Sequence, residues 1–231
     1  MSLLKTATLI AIISLFSKGV GLLRDMTITN YIGLGPVSDA YTVAYLIPGS
    51  FALLMLGGLN GPFHSAVVST LTPYYEKKDT SSDYATILRT VTVITFLIMA
   101  TLSLLGILLA PFLVQRTIWQ NLPPETAKLA ILQMQIMFPI FALSGLIGIS
   151  FGVLSLRQSF LTPSLSPIMA SLAIIIALIC FSAPASLAQV LAIGTLIGAI
   201  LQLVLQLIPL WRPRSFKSHN NPYHDTDRAY N

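Results

Sequence analysis

Apolar runs long enough to cross a membrane recur about six times in this 231-residue chain, near residues 8 to 32, 40 to 71, 85 to 115, 127 to 153, 163 to 183 and 187 to 210. A hydrocarbon core of about 30 Å is spanned by roughly 20 apolar residues in a helix. In that solvent every backbone N–H and C=O must find its partner inside the protein, so only helices and closed barrels cross it. The runs are too long for the roughly ten-residue alternating strands of a barrel. The predicted fold class is therefore all-α, a polytopic transmembrane helical bundle of about six spans. Composition agrees: 9% of residues are charged, against about 25% in soluble domains, and the mean hydropathy is +0.80.

Residues 1–211 are expected to form the bundle. After Pro213 the chain turns polar (SFKSHNNPYHDTDRAYN), and residues 212–231 are expected to form a disordered basic tail. Lys5 before an apolar run resembles the start of a signal peptide, but the run continues past Lys18 without a small-residue cleavage pattern, which predicts a retained first helix. The one cysteine, Cys180, allows no intrachain disulfide and suggests no metal site.

Basic residues accumulate on the cytoplasmic side of membrane proteins. With a cytoplasmic N-terminus, that side receives Lys5, Lys77, Lys78, Arg89, Arg157, Arg212, Arg214, Lys217 and Arg228, and the outer side only Arg116 and Lys128. Both termini are thus expected in the cytoplasm. This asymmetry accounts for the basic pI near 9.5 without a nucleic-acid partner. Arg212, Arg214 and Lys217 read as an anchor to anionic membrane lipids.

Charge inside the first run is the chief functional signal. Lys18, Arg24 and Asp25 lie within the apolar stretch from Ala7 to Ile32. A charged side chain near the bilayer centre costs roughly 2.5 to 3.5 kcal/mol on insertion scales, so such groups normally face a bundle interior or a wet cavity. Lys18, Gly21, Arg24 and Asp25 are spaced to share one helix face. Ile13, Leu15, Val20, Met26 and Ile28 are expected on the opposite face, toward lipid. In an alternative reading Arg24 and Asp25 end a short span at the water interface. Lys18 opposes it, because a span starting after Lys18 is too short.

The second run carries Pro48, Gly49, Gly57, Gly58, Gly61 and Pro62. So many helix breakers predict a kinked or unwound segment, of the kind that lines transport sites, or glycines that permit close helix packing. The stretch PYYEKKDTSSD, from Pro73 to Asp83, reads as a cytoplasmic linker with Asp83 capping the third helix. Arg116 to Glu125 reads as an outer loop with Trp119 at the interface, and Pro163 and Pro167 as opening the fifth span. Chemical motifs are lacking: the chain has no GxxxxGK[ST], HExxH or GxSxG pattern and no cysteine cluster. His64 stands alone in the second run and reads as a packed residue. His219 and His224 lie in the tail. The chain does not read as an enzyme, and no cofactor or metal is expected.

The stretch from Phe16 to Ala40, FSKGVGLLRDMTITNYIGLGPVSDA, resembles the N-terminal signature of the MurJ/MviN family of lipid II flippases, within the multidrug/oligosaccharidyl-lipid/polysaccharide exporter superfamily. The likeness continues through IPGSFALLMLGGLNGPFHSAVVSTLTPYY and GVLSLRQSFLTPSLSPI, covering about residues 1 to 210. The resemblance implies a bundle lining a cationic cavity that moves an undecaprenyl-linked peptidoglycan precursor (lipid II) across the bacterial inner membrane. It assigns Arg24 and Asp25 to the family's arginine–aspartate pair and places Lys18 where arginine is common. Asp39 matches the acidic residue that opens the second helix. These four residues are the candidate substrate-binding set.

Two features depart from the family pattern. Gly49, Ser50, Phe51, Ala52 and Leu53 follow Pro48 where an arginine is usual, and lysine at position 18 lacks the planar fork of arginine. The chain also corresponds to an N-terminal bundle only, which implies a separate or downstream C-terminal bundle as partner. Two other functions fit the sequence: a transport-inactive membrane protein acting by helix association, and a cation-coupled drug exporter of the same superfamily. The exporter predicts an excess of intramembrane acids, whereas the charged face here is net positive.

Overall fold

The first apolar run contains no proline and forms one helix of 30 residues, α1 (Leu3–Ile32). It ends at Gly33, whose φ of 69° suits glycine and whose N–H closes on Thr29 O at 2.9 Å, the left-handed termination common at helix C-termini. Pro36 then supplies a preset φ at the first position of α2 (Pro36–Tyr45). The computed structural model describes residues 3–52, 62–76, 81–116, 121–181 and 186–211. Six further helices follow among them: α3 (Pro62–Glu76), α4 (Ser81–Arg116), α5 (Pro124–Met137), α6 (Ile140–Leu156), α7 (Leu161–Cys180) and α8 (Leu187–Leu207). The all-α expectation holds, with no strand among the described residues.

Three stretches among the described residues are long and apolar enough to cross a membrane: Asp83–Arg116, Leu161–Cys180 and Leu187–Trp211. The pair α5 and α6, bent by 41°, makes a fourth if taken as one span. Length and composition thus support four of the six expected spans. The described α-helices of the second run, α2 of 10 residues and α3 of 15, are each too short to span alone, while α1, of 30 residues, carries a single charge, Lys18, between Thr6 and Leu23. On α4, Val93, Ile94, Leu97, Leu104 and Leu108 are exposed in one apolar surface. Such a surface is abnormal in water and ordinary against lipid.

The main core lies where α2, α5, α7 and α8 meet, around Ala44, Met134, Met137, Ile174, Leu178 and Leu191. A smaller one joins α3, α4 and α6 through Val67, Leu71, Tyr84, Ile149 and Val153. The closest seam runs between α7 and α8. Gly194 and Gly198, four residues apart, share one face, and a Cβ at Gly198 would stand 2.7 Å from Ala170 Cα. Lipid tails are as apolar as leucine, so helices in a bilayer associate through such close approaches and through polar contacts rather than by hydrophobic drive. The polar contacts are present: Gln133 Nε2 donates to Ala188 O at 3.0 Å, and Gln206 Nε2 to Ser166 Oγ at 2.8 Å.

Several expectations need correction. Pro139 breaks the fourth run into α5 and α6, because a proline nitrogen cannot donate to the preceding turn. Pro73 lies inside α3 and does not start a linker. Asp83 sits in the first turn of α4, which begins at Ser81, and so favours the helix dipole from within. Pro167 lies inside α7, which begins at Leu161. The tail 212–231, with His219 and His224, and Gly57, Gly58, Gly61, Lys77, Lys78 and Trp119 fall outside the described residues.

The seam has a direct test in thermal unfolding of the detergent-solubilised protein. Gly198→Ala must push α7 and α8 apart, and overpacking of this kind costs about 1–3 kcal/mol, so the melting temperature should fall. Gly21→Ala, where a Cβ meets nothing within 4 Å, should be neutral or slightly stabilising. Equal melting temperatures for the two variants would contradict the packing.

Candidate functional site

The charged residues of α1 do not share one environment. Ile13, Val20 and Ile28 are buried, on the side of α1 that packs along α7. Leu15 and Met26 are exposed at 72% and 58%. The expected lipid-facing set is therefore split: Ile13, Val20 and Ile28 form the packed edge, while only Leu15 and Met26 are free to meet lipid. The reason lies in the sequence, since apolar residues surround almost the whole of α1 and mark no single face. Lys18 and Asp25 are exposed, and Arg24 is half-buried between the two surfaces.

Arg24 and Asp25 do form the expected pair. Arg24 Nε and Nη2 both donate to Asp25 Oδ1, at 2.9 and 2.7 Å. The Arg24 side chain is 22% exposed and that of Asp25 59%, so the arginine leans inward and the carboxylate faces out. One carboxylate oxygen takes both bonds. Among the described residues Nη1 has no hydrogen-bond acceptor, so part of the guanidinium fork is left for an incoming anion. Beside the pair, a shallow open groove is lined by Leu22, Asp25, Met26, Thr29 and Asn30. The Thr27 and Thr29 hydroxyls donate back to Leu23 O and Asp25 O at 2.8 and 3.0 Å, so α1 satisfies its own hydroxyls.

Asp39 is in the first turn of α2 and exposed. It lies six residues before Tyr45, about 9 Å along the axis. It makes no ion pair with Arg24 or Lys18 among the described residues. The structure thus unites Arg24 with Asp25 and leaves Lys18 and Asp39 apart.

α2 carries a pair of aromatic rings that the sequence alone does not single out. Tyr41 and Tyr45 of α2 stack with centroids 5.5 Å apart and planes at 25°. Their i, i+4 spacing was a legible hint of a shared face. After Tyr45 the helix widens into a π turn, Leu46–Phe51, where Pro48 cannot continue the α-helical ladder. Irregularity was expected here, and π turns of this type are frequent at functional sites. Gly49 lies directly under the Tyr45 ring, in a space that a Cβ would fill.

His64 is a packed residue, as its isolation suggested. Its Nε2 lies 3.1 Å from Ser155 Oγ, and its ring meets Phe151 edge-on at 5.1 Å. Arg157 was read only as a positive-inside charge. It lies at the C-terminus of α6, and its Nη1 donates to Pro209 O and Leu210 O at 3.3 and 3.5 Å, a cation set on the terminal carbonyls of the last helix.

The family model described as lipid II flippase MurJ matches residues 28–226. Asp39 lies inside that stretch, and Lys18, Arg24 and Asp25 precede it. A probable lipid II flippase of Synechocystis sp. is 41% identical over 177 residues, covering 77% of this chain and 32% of the relative. A second, from Treponema pallidum, is 27% identical over 213 residues, covering 90% of this chain and 39% of the relative. The lipid II flippase of Burkholderia cenocepacia is 28% identical over 185 residues, covering 80% and 35% respectively. The chain thus spans about a third of the length of the curated relatives it matches. With a family match across most of its length and an all-α membrane-type bundle, the chain belongs to the lipid II flippase MurJ family.

Proposed function

We propose that this chain is the N-terminal bundle of a lipid II flippase, and that Arg24 holds the pyrophosphate of the undecaprenyl-linked precursor. The observation that carries the reading is the Arg24–Asp25 pair, whose carboxylate lies on a side of α1 left open by the other described helices. A pyrophosphate entering a low-dielectric cavity needs fixed positive charge, and Arg24 has a free arm of its fork to offer. Asp25 holds the arginine in the empty state and releases it to the substrate. Lys18, exposed along the same helix, adds positive charge on the path. Asp39 opens α2, and its carboxylate favours the helix N-terminus.

The relatives are about three times longer than the matched region, so the missing wall of the cavity belongs to a C-terminal bundle. Membership of a lipid flippase family favours this reading over the drug exporter and over helix association without transport. The protein acts in the bacterial inner membrane, with α1 and the second run completing six spans and both termini in the cytoplasm. The membrane lipids and the precursor are its partners, and nucleic acid is not.

Topology is checked by cysteine labelling in a Cys180→Ser background. An impermeant reagent added outside should reach Ser186→Cys and miss Ser81→Cys. The opposite pattern would reverse the orientation.

Function is checked by complementation of a flippase-depleted bacterium with a full-length protein, in which the 231 residues are joined to the part of the Synechocystis relative they do not cover. Arg24→Ala should abolish growth at unchanged membrane abundance. Hydrogen bonds to a charged group contribute about 1.5–3 kcal/mol, roughly ten- to a hundredfold in affinity. Arg24→Lys should be intermediate, since charge survives and the fork does not. The 231-residue chain alone should fail, and full rescue by it would refute the half-cavity reading.

A further inference from the structure

A proline inside a helix leaves the carbonyl four residues before it without its usual backbone donor. Pro111 lies inside α4, so the carbonyl it frees is that of Ile107. Gln135 of α5 supplies the donor instead: its Nε2 lies 3.2 Å from Ile107 O. Beside this contact the Phe138 ring rests on Gly106 of α4, in the space that a Cβ would fill. Both contacts fall within four residues of Pro139, where α5 and α6 part at 41°. Gln135 therefore serves two prolines, since its side chain meets the carbonyl freed by Pro111 and its own backbone carbonyl is the one freed by Pro139.

The second run is irregular at the same level. α2 gives way there to the π turn Leu46–Phe51, and this turn packs against both α5 and α6. On one side of the level α2 packs chiefly on α5, with Ala40, Ala44, Ala130 and Met134 fully buried. On the other side α3 packs chiefly on α6. α4 and α8 each touch both α5 and α6 and pass the level as single helices. Side-chain hydrogen bonds tie α2 and α5 to these two continuous helices: Gln135 to Ile107 O on α4, and on α8 Gln133 Nε2 to Ala188 O at 3.0 Å and Tyr41 Oη to Thr195 Oγ1 at 3.0 Å. Bonds of this kind between membrane helices contribute modestly.

We propose that α2 and α5 swing as one body, hinged where the π turn meets Pro139 and latched to α4 by Gln135 on the carbonyl freed by Pro111. A hinge concentrates backbone change in a few residues at the ends of elements, and here two such places lie side by side. The swing breaks side-chain bonds only, because a membrane helix keeps its backbone bonds to itself. It would open one end of the bundle while α3 and α6 stay seated. The proposal is independent of the role given to Arg24.

The experiment is pulsed electron paramagnetic resonance on the full-length protein in lipid vesicles, in a Cys180→Ser background. A label at Val93→Cys on α4, exposed, is paired in turn with Thr42→Cys on α2 and Lys128→Cys on α5, both exposed. Thr70→Cys on α3 with Leu108→Cys on α4, also exposed, monitors the other half. Losing one hydrogen bond between membrane helices shifts the ratio of displaced to seated pair about threefold. Gln135→Leu and Thr195→Val should each raise the displaced distance by that factor at positions 42 and 128 alike, and leave position 70 unchanged. Thr195→Val alters no residue of the moving pair and serves should Gln135→Leu fold poorly. Pro111→Ala returns an N–H to Ile107 O from within α4, so it should act as Gln135→Leu does, and the two together should do no more than either alone. Additive effects would overturn the latch. A change at only one of positions 42 and 128 would overturn the single body, and a change at all three pairs, or at none, would overturn the hinge.

Discussion

The bundle depends on the close approach of α7 and α8. Apolar side chains gain little by leaving a solvent as apolar as themselves, so the helices must hold together by dispersion at short range and by the few polar contacts that hydrocarbon does not compete for. Gly198 brings the two backbones together against Ala170. Gln206 with Ser166, and Gln133 with the Ala188 carbonyl, then join helices whose polar groups have no water to turn to. Once α8 is placed, it presents Thr195 to Tyr41, while α2 packs chiefly on α5. Once α7 is placed, it supplies the surface on which α1 lies.

That order explains the site. α1 is attached by one edge, Ile13, Val20 and Ile28, and among the described residues the side bearing Lys18 and Asp25 is left uncovered. A bundle complete in itself would have turned Arg24 and Asp25 inward, since ionisable groups in a membrane face protein or water. Here Arg24 is only partly covered and Asp25 faces out, in a chain that matches about a third of each relative. The uncovered side is the one a partner bundle would close.

How much of this the sequence carried differs from element to element. The long apolar runs specify helices because hydrocarbon permits little else, and the Arg24–Asp25 pair is legible because a charge in such a run needs a reason. The face of α1 was not legible: it is apolar nearly all round, so periodicity has nothing to detect, and Val20 was assigned to lipid although it is packed. The break between α5 and α6 was readable in Pro139, a residue passed over inside a uniformly apolar run. The contact of Tyr41 with Thr195 could not be read at all. It joins residues 154 positions apart, and only the tertiary packing of α2 on α8 brings them together.

The central claim is that the charged side of α1 lines an aqueous cavity in the full-length protein. The direct measurement is paramagnetic relaxation of a spin label in lipid vesicles, in a Cys180→Ser background. A label at Asp25→Cys should be relaxed more by a water-soluble nickel complex than by oxygen dissolved in the lipid. A label at Leu108→Cys, 68% exposed on α4, should show the reverse, and one at the buried Val20→Cys should be protected from both. Oxygen-dominated relaxation at position 25, matching position 108, would place the Arg24–Asp25 pair against lipid and contradict the account.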